Sequence, residues 1–220
     1  MTHPQITAII PAYNEQETIA DVVRVLVTSP YISETFVISD GSTDKTAFCA
    51  REAGAIVHEL PRKGGKGEAM LHALIHTQAP IVAFFDADLR GLTTEHVEQL
   101  VLPVINGSRV MNVALRDRGR FVTWINSFGP LIAGERVVLR RVVENVPAQY
   151  MKGFMIEIAL NYFCRSRGFS YGAVKLSGLM IRTKVEKVGF RLAVLQYIHM
   201  TFQVVKAMVL VRVAHWRGTF

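Results

Sequence analysis

The strongest constraint on the fold is a regular alternation of short apolar runs and helical segments through the first 115 residues. The apolar, β-branched runs have the length of strands and lie at 6–10, 36–40, 56–60, 81–86 and 110–115. Between them apolar residues recur with helical spacing. Short connections between alternating strands and helices favour parallel strands covered by helices. The sequence therefore predicts an α/β protein, a three-layer α/β/α sandwich with a mostly parallel central sheet.

The fourth apolar run ends in two carboxylates, Asp86 and Asp88, separated by one residue. Close carboxylates at the end of a buried strand repel each other unless a cation lies between them. Oxygen ligands suit Mg²⁺ or Mn²⁺, and magnesium sites often combine carboxylates with substrate phosphates. On spacing alone, the alternative is that both residues cap the following segment. Asp86 and Asp88 are therefore candidate metal ligands.

The turns after the first two strands carry residues suited to a nucleoside. Pro11, Tyr13 and Glu15 follow the first strand, where a base or ribose could rest against Tyr13. Taken alone, this turn is a helix start in which Asn14 and a later glutamate form a pair like a capping box. Asp40 ends the second strand and could accept a hydrogen bond from a base, or could simply cap the next turn.

Lys63 and Lys66 lie in a glycine-rich loop that opens a helix. Backbone N–H groups, the helix dipole and ammonium charges all favour phosphate at such a place. The spacing is neither a P-loop nor a dinucleotide-binding turn, and a solvated basic loop is the alternative. Because ligands of open α/β sheets bind beyond the carboxyl ends of the strands, we expect all these turns to line one crevice.

Composition narrows the class of partner without choosing one. Half of the residues are hydrophobic and the net charge is +7, which indicates a globular protein with an anionic partner. No nucleic-acid-binding motif with base-stacking aromatics is visible, so we expect no nucleic acid. Cys49 and Cys164 are far apart and predict reduced thiols. With no signal-like segment at the start, we expect a cytoplasmic protein.

Taken together, the four turns resemble those of GT-A nucleotide-sugar glycosyltransferases of the family-2 type, and the resemblance covers the first half of the chain. It implies a GT-A fold in which Pro11–Glu15 and Asp40 hold the nucleoside. It also implies that Lys66 approaches the donor diphosphate, with Lys63 beside it. Asp86 and Asp88 would bind the ribose and Mg²⁺ or Mn²⁺, with Asp88 the better candidate for the metal ligand.

The second half resembles glucosyl-3-phosphoglycerate synthases and their bacterial relatives through the segments 134–137 and 152–157. That resemblance implies that Arg136 contacts an anionic acceptor and that Glu157 borders the site. The alternatives are a surface arginine on a helix and a glutamate facing solvent. Two departures from this subgroup are Val138, where it has a hydroxyl residue, and Ile181, where it has a metal-ligating histidine.

We divide the chain into a donor half at 1–116, an acceptor half at 117–190 and a C-terminal amphipathic helix at 191–220. Periodicity predicts further helices at 137–146 and from the 151–157 segment to about 165, a strand at 169–176 and a helix at 192–213. The last helix is apolar over most of its circumference. It predicts a helix packed on the domain or on a second subunit in a homodimer, with in-plane contact at the inner membrane face as the alternative.

The sequence thus predicts a metal-dependent transferase that moves a hexose from a UDP- or GDP-hexose to a phosphate-bearing acceptor. The predicted catalytic residues are Asp88, Glu157 and Arg136, with Asp117 a second candidate for a general base. One rival is a membrane-associated polyprenyl- or dolichyl-phosphate sugar synthase, whose acceptor would be a lipid phosphate. A rival of another class is a non-catalytic nucleotide-binding assembly protein that keeps the fold.

Overall fold

The computed structural model describes residues 4–116, 133–151, 153, 155–181 and 190–217. Within these ranges one large sheet and one two-stranded sheet are present. The strands are β1 (Ile6–Ala12), β2 (Glu34–Asp40), β3 (Ile56–Leu60), β4 (Ile81–Phe84), β5 (Leu89–Arg90), β6 (Met111–Arg116), β7 (Arg136–Leu139), β8 (Tyr171–Leu176) and β9 (Met180–Ile181). The helices are α1 (Ile19–Thr28), α2 (Thr46–Glu52), α3 (Lys66–Leu74), α4 (Thr94–Ile105), α5 (Arg140–Glu144), α6 (Met155–Ser166) and α7 (Phe190–Trp216).

The large sheet has the strand order β3-β2-β1-β4-β7-β6-β8. Strand β7 is antiparallel to both of its neighbours, and the other strands run in one direction. The predicted mostly parallel sheet is therefore confirmed. The predicted strand 56–60 forms its edge, and all five of its residues are exposed or only partly buried.

Each face of the sheet buries a separate hydrophobic cluster. Ile6, Ala8 and Ile10 of β1 pack with α1 and α4 in one cluster. Ile9 of the same strand packs on the opposite face, in a cluster with α3, α5 and α6. This alternation follows from the two-residue repeat of a strand. The predicted three-layer α/β/α arrangement is thereby confirmed.

The predicted helix at 137–146 is wrong in its first half. Residues Arg136–Leu139 form strand β7, and only Arg140–Glu144 is helical. Val137 packs into the cluster on one face of the sheet and Val138 into the cluster on the other. A short run of β-branched residues is compatible with the period of a helix or of a strand. These residues form a strand because they pair with both β4 and β6.

The predicted capping role of Asn14 is also wrong. Helix α1 begins only at Ile19, after Thr18. Asn14 has a φ of 54°, and its side-chain oxygen accepts a hydrogen bond from the backbone N–H of Thr43 at 2.8 Å. Asparagine tolerates this left-handed conformation better than most residues. The side chain thus joins two loops instead of starting a helix.

The C-terminal helix α7 contains the predicted segment 192–213 and extends beyond both ends. Ala207, Val211 and Ala214 are buried, and the helix packs against α6. In the described part of the chain, none of the helices combines the length and apolar character needed to cross a bilayer. The division at 116 and 190 stays a prediction, although β7 and β8 of the second segment belong to the same sheet as β1.

Candidate active site

The turns after β1 and β2 are joined by hydrogen bonds. Besides the contact between Asn14 and Thr43, the backbone N–H of Glu15 donates to the Thr46 hydroxyl at 2.8 Å. Thr18 then donates its hydroxyl proton to the carbonyl oxygen of Ala87 at 2.8 Å. Ala87 lies between the two candidate metal ligands. The predicted nucleoside turn and the acidic pair are therefore held together at the carboxyl end of the sheet.

Asp40 shapes the glycine-rich loop. Its two carboxylate oxygens accept hydrogen bonds from the backbone N–H groups of Gly64 at 2.7 Å and Gly65 at 2.8 Å. Gly41, directly after it, has no space for a side chain, because a Cβ there would lie 2.6 Å from the backbone nitrogen of Lys63. Asp40 therefore fixes the loop that presents Lys63 and Lys66.

Lys63 lies beside the aromatic ring of the first turn. Its Nζ is 3.5 Å from the centroid of the Tyr13 ring, a cation–π contact. Tyr13 is exposed, so this pair lies at the surface of the crevice. An exposed aromatic face next to an ammonium group can accept a planar, negatively charged ligand.

Lys66 connects the donor half to the acceptor half of the chain. Its Nζ lies 2.7 Å from Oδ1 of Asp86 and 3.0 Å from Oε1 of Glu157. The nearby carboxylates raise the pKa of Lys66 above its ordinary value in spite of its burial. Burial alone would raise the pKa of Asp86, but Lys66 and then Arg116 hold it well below its usual range. Lys66 and Asp86 are therefore charged, and Glu157 completes the ion-paired cluster.

Two further residues, which are not among the predicted site residues, belong to this cluster. Arg116 Nη2 lies 3.8 Å from Oδ2 of Asp86, and its Nε lies 3.3 Å from Oε2 of Glu135. Glu135 is completely buried, and burial together with the charge of Asp86 raises its pKa to about 8. In the sequence, only the position of Glu135 next to Arg136 could have indicated a role in the site. The burial of Glu135 depends on the formation of β7.

Arg136 is a buried residue of β7, so its interpretation as a surface arginine on a helix is wrong. It is 1% exposed, and its Nη2 donates to the carbonyl oxygen of Ala133 at 2.6 Å. Its Nη1 donates to the carbonyl oxygen of Glu157 at 3.4 Å. Burial lowers the pKa of Arg136, while the charges of Glu157 and Glu135 oppose that shift. Arg136 thus joins β7 to the first turn of α6.

Glu157 does not face solvent, which was the alternative left open by the sequence. It is 4% exposed and lies in the first turn of α6. Gly134 allows the cluster to close, because a Cβ at that position would collide with the carboxylate of Asp86. The close approach of this backbone to Asp86 requires the absence of a side chain.

Asp88 lies directly before the short strand β5 and is half-buried. Strand β5 pairs with β9, which places Leu89 opposite Ile181. Ile181 offers no ligand atom to a metal. The carboxylates of Asp86 and Asp88 nevertheless have the oxygen chemistry that Mg²⁺ or Mn²⁺ requires, with water and phosphate as the remaining ligands. The donor set fits a hard divalent cation.

The predicted donor-site residues lie at the carboxyl ends of β1, β2 and β4 or in the loops beside them, with Tyr13 against Lys63. Lys66, Asp86 and Glu157 form one ion-paired cluster. Arg136 lies beneath this cluster instead of at its surface. Asp117, the second candidate for a general base, lies outside the described residues. The individual roles assigned to these side chains stay predictions.

Comparisons with known proteins agree with this architecture. A family model described as glycosyl transferase family 2 matches residues 7–168. Glucosyl-3-phosphoglycerate synthase of Mycolicibacterium smegmatis is 34% identical over 109 residues, which are 46% of this chain and 36% of that relative. The 4,4'-diaponeurosporenoate glycosyltransferase of Staphylococcus aureus is 34% identical over 104 residues, which are 45% of this chain and 28% of that relative.

A solved structure extends the similarity over nearly the whole chain. Glucosyl-3-phosphoglycerate synthase from Mycobacterium tuberculosis, in complex with Mn²⁺, uridine-diphosphate-glucose and phosphoglyceric acid, superposes with a TM-score of 0.77 at 25% identity. The similarity covers 94% of this chain and 79% of that one.

The fold is that of a GT-A glycosyltransferase, as the resemblance predicted. Since the family model matches more than half of the residues, the chain belongs to glycosyl transferase family 2. The segments matched in the sequence relatives are about a third of the length of those proteins.

Proposed function

We propose that this chain transfers a hexosyl group from a UDP- or GDP-hexose to a phosphate-bearing acceptor, with Mg²⁺ or Mn²⁺ as cofactor. The observation that carries this proposal is the convergence of Lys66, Asp86 and Glu157 beside the Pro11–Glu15 turn. A helix-terminal lysine and an acidic pair in one crevice suit a sugar diphosphate and a divalent cation. The Mycobacterium tuberculosis neighbour, solved with a nucleotide sugar, Mn²⁺ and phosphoglyceric acid, supports the same class of ligands.

In this proposal the first two turns hold the nucleoside. Pro11, Tyr13 and Glu15 flank it, and Tyr13 offers an exposed ring. Asp40 already accepts two backbone hydrogen bonds, and a carboxylate has about four acceptor positions, so a further bond from a base is compatible with its present role. Lys63 and Lys66 supply positive charge to the diphosphate.

Transfer breaks the bond between the anomeric carbon and the diphosphate oxygen and forms a bond from that carbon to an acceptor oxygen. Asp86 and Asp88 would hold a divalent cation, which would supply electrostatic stabilisation of the leaving diphosphate. In an inverting reaction Glu157 takes the proton from the acceptor hydroxyl. This role is assigned to Glu157 because, within the described residues of the acceptor half, its carboxylate forms the ion pair with Lys66. In that position Lys66 orients both Asp86 and Glu157.

Arg136 is proposed as a positioning residue. It donates to the carbonyl oxygens of Ala133 and Glu157 while buried, so it acts on the site through the start of α6. Replacing Arg136 by lysine retains the charge but loses the forked geometry that binds both carbonyl groups. We expect a lower kcat with a smaller change in the KM of the donor, because donor-binding residues lie on other elements.

A panel of nucleotide sugars tests the donor site. A ligand that binds only the folded state raises the melting temperature. We expect a UDP- or GDP-hexose to raise it in the presence of Mn²⁺ and to have a smaller effect without the ion. An unchanged melting temperature across all donors would contradict the donor-site assignment.

Transfer itself is measured by the release of UDP or GDP in the presence of 3-phosphoglycerate, glycerol 3-phosphate and a polyprenyl phosphate in turn. Acceptor-dependent release that requires Mn²⁺ supports the proposed reaction. Donor binding without transfer to any of these acceptors would instead favour the non-catalytic assembly protein.

The exposed face of α7 favours a lipid-phosphate acceptor as the second candidate. Apolar side chains recur there at helical spacing: Phe202, Val205, Val209, Leu210, Val213 and Trp216 are exposed. Lys206, Arg212 and Arg217 are exposed among or beside them. Such a helix can lie in the plane of an acidic membrane. Co-sedimentation with anionic liposomes, weakened by Val209→Asp, supports this candidate and a location at the inner membrane face.

The same face supports the proposed homodimer. Burying it against a second copy would remove these apolar side chains from water. Sedimentation velocity of the wild-type chain and of Val209→Asp distinguishes the alternatives. A dimer that dissociates in the variant supports the homodimer contact. A wild-type chain that is monomeric and does not bind liposomes would contradict both the homodimer contact and the membrane contact.

A further inference from the structure

Three histidines converge outside the candidate active site, between the edge strand β3 and the end of α3. His58 lies on β3, His72 in the last turn of α3, and His76 in the turn that follows. Nδ1 of His58 is 3.0 Å from Nε2 of His72. One ligand nitrogen from each of the three rings lies within 4.8 Å of the other two. This is a compact set of three nitrogen donors.

The histidine cluster is packed against other side chains on one side and exposed to solvent on the other. The rings of His58 and His76 have centroids 4.5 Å apart, and those of His72 and His76 are 4.8 Å apart. Phe36 packs edge-on against His58 with the centroids 5.6 Å apart. His58 and His72 are half-buried, whereas His76 is exposed. An ion can therefore enter from solvent past His76 and meet two rings held by packing.

The electrostatics favour the neutral imidazole, the form that binds metal, at His58 and His72. Burial lowers the pKa of His58, and His76 and His72 lower it further. Burial and then His76 lower the pKa of His72. The cluster also lies at the C-terminal end of α3, where the helix dipole favours positive charge. A bound metal ion would place its positive charge there by binding the lone pairs of neutral rings. Protonation would instead require three imidazolium ions next to one another.

We propose that His58, His72 and His76 form a binding site for one divalent transition-metal ion of the zinc class, separate from the carboxylate pair of the donor site. Imidazole nitrogens suit Zn²⁺, Co²⁺, Ni²⁺ and Cu²⁺, whereas Mg²⁺ and Mn²⁺ prefer oxygen. Three protein ligands leave a fourth position for water, as in three-histidine zinc sites. Tetrahedral zinc needs ligand nitrogens about 3.3 Å apart, a distance that His58 and His72 already approach and that rotation of exposed His76 can complete.

Such an ion would join the edge strand to α3. Strand β3 pairs with β2 on one side only, since it ends the sheet. Helix α3 begins at Lys66, so the helix that positions the candidate phosphate-binding lysine would gain a second attachment at its other end. The proposed role is therefore structural and does not depend on catalysis by the donor site.

The test is a calorimetric titration of Zn²⁺ into the full chain without a polyhistidine tag, in excess Mg²⁺ to occupy the carboxylate site. We expect one equivalent of Zn²⁺ to bind and to raise the melting temperature. The double variant His72→Gln/His76→Gln should weaken zinc binding by more than about tenfold, since even losses in the second coordination shell cost that much. His215→Gln is the matched control, because His215 is exposed on α7 and contacts Tyr162.

Substitution of Co²⁺ for Zn²⁺ provides an independent readout of the ligands. A four-coordinate site with nitrogen ligands gives visible absorption bands that should appear in the wild-type chain and in His215→Gln but not in the double variant. The melting temperature without metal verifies that each variant is folded. Zinc binding of equal strength in the double variant, or no zinc binding by wild type in excess Mg²⁺, would overturn the proposed site.

Discussion

The substitution Lys66→Met tests whether the cluster at the strand ends depends on its central cation. Lys66 Nζ is 2.7 Å from Asp86 and 3.0 Å from Glu157, and the three side chains are at most 24% exposed. Methionine fills a similar volume but leaves both carboxylates without their shared partner. We therefore expect the variant to be folded but less stable.

The magnitude follows from the two contacts. At an effective dielectric constant of about 20, attraction amounts to about 6 kcal/mol for the shorter distance and about 5.5 kcal/mol for the longer one. Desolvation and the mutual repulsion of Asp86 and Glu157 offset most of that gain. Breaking a buried ion pair typically costs about 3–5 kcal/mol, and partial exposure of Lys66 places this case near 3 kcal/mol.

The pH dependence has a defined sign. The folded-state pKa of Asp86 is lowered from 3.8, so its stabilising contribution is present above that value and is lost as the pH falls through the folded-state pKa. Lys66 stays charged in this range because its pKa is raised above 10.5. In the variant, buried Asp86 protonates more readily. The stability difference between wild type and variant should therefore be larger at about pH 7.5 than at about pH 4.5.

Urea unfolding in EDTA, followed by circular dichroism at both pH values, measures this difference without a bound metal ion. Arg24→Met is the control, because Arg24 pairs with Asp21 at the surface, where both side chains are more than half exposed. We expect a change below about 1 kcal/mol for that control. Equal stability of Lys66→Met and wild type, or a loss that does not vary with pH, would refute the reasoning.

Three other predictions concern single positions. Asp88→Asn should abolish the Mn²⁺-dependent melting shift caused by a nucleotide sugar while leaving the metal-free melting temperature nearly unchanged; a retained shift would remove Asp88 as a metal ligand. Gly134→Ala should displace the Asp86 carboxylate and lower transfer activity by up to about 100-fold, and unchanged activity in a steady-state assay would contradict the close approach. Burial raises the pKa of Cys164 to about 11. In the native protein, iodoacetamide at about pH 8 should therefore label Cys164 at least about 100-fold more slowly than an unhindered thiol. Mass spectrometry should show that half-buried Cys49 is labelled first.

Much of the donor half could be predicted because its information is local. The helical spacing predicted between the fourth and fifth apolar runs agrees with α4, and the strands predicted at 36–40 and 56–60 lie in β2 and β3. Each pattern depends on apolar periodicity and on nearby turn residues, which neighbouring positions in the sequence display. The order of strands and helices then implied where the polar turns would meet.

The second half was harder to predict because its residues depend on distant partners. Arg136 and Val137 carry no local signal that distinguishes a strand from a helix, and the position between β4 and β6 decides the outcome. The depth of Glu135 follows from that strand. Asn14 likewise has the chemistry of a helix cap, but the neighbouring loop at Thr43 provides its partner.

The sequence by itself determined the α/β class, the edge of the sheet where the polar turns meet and the acidic pair at Asp86 and Asp88. It did so because periodicity and turn chemistry are encoded within a few residues. Tertiary structure alone decided that Lys66 joins Asp86 to Glu157, 91 positions apart from Lys66 along the chain, and that three histidines from β3 and α3 form one cluster. Contacts between such distant residues depend on strand order and helix placement. The local sequence around each residue does not indicate which distant side chain it will contact.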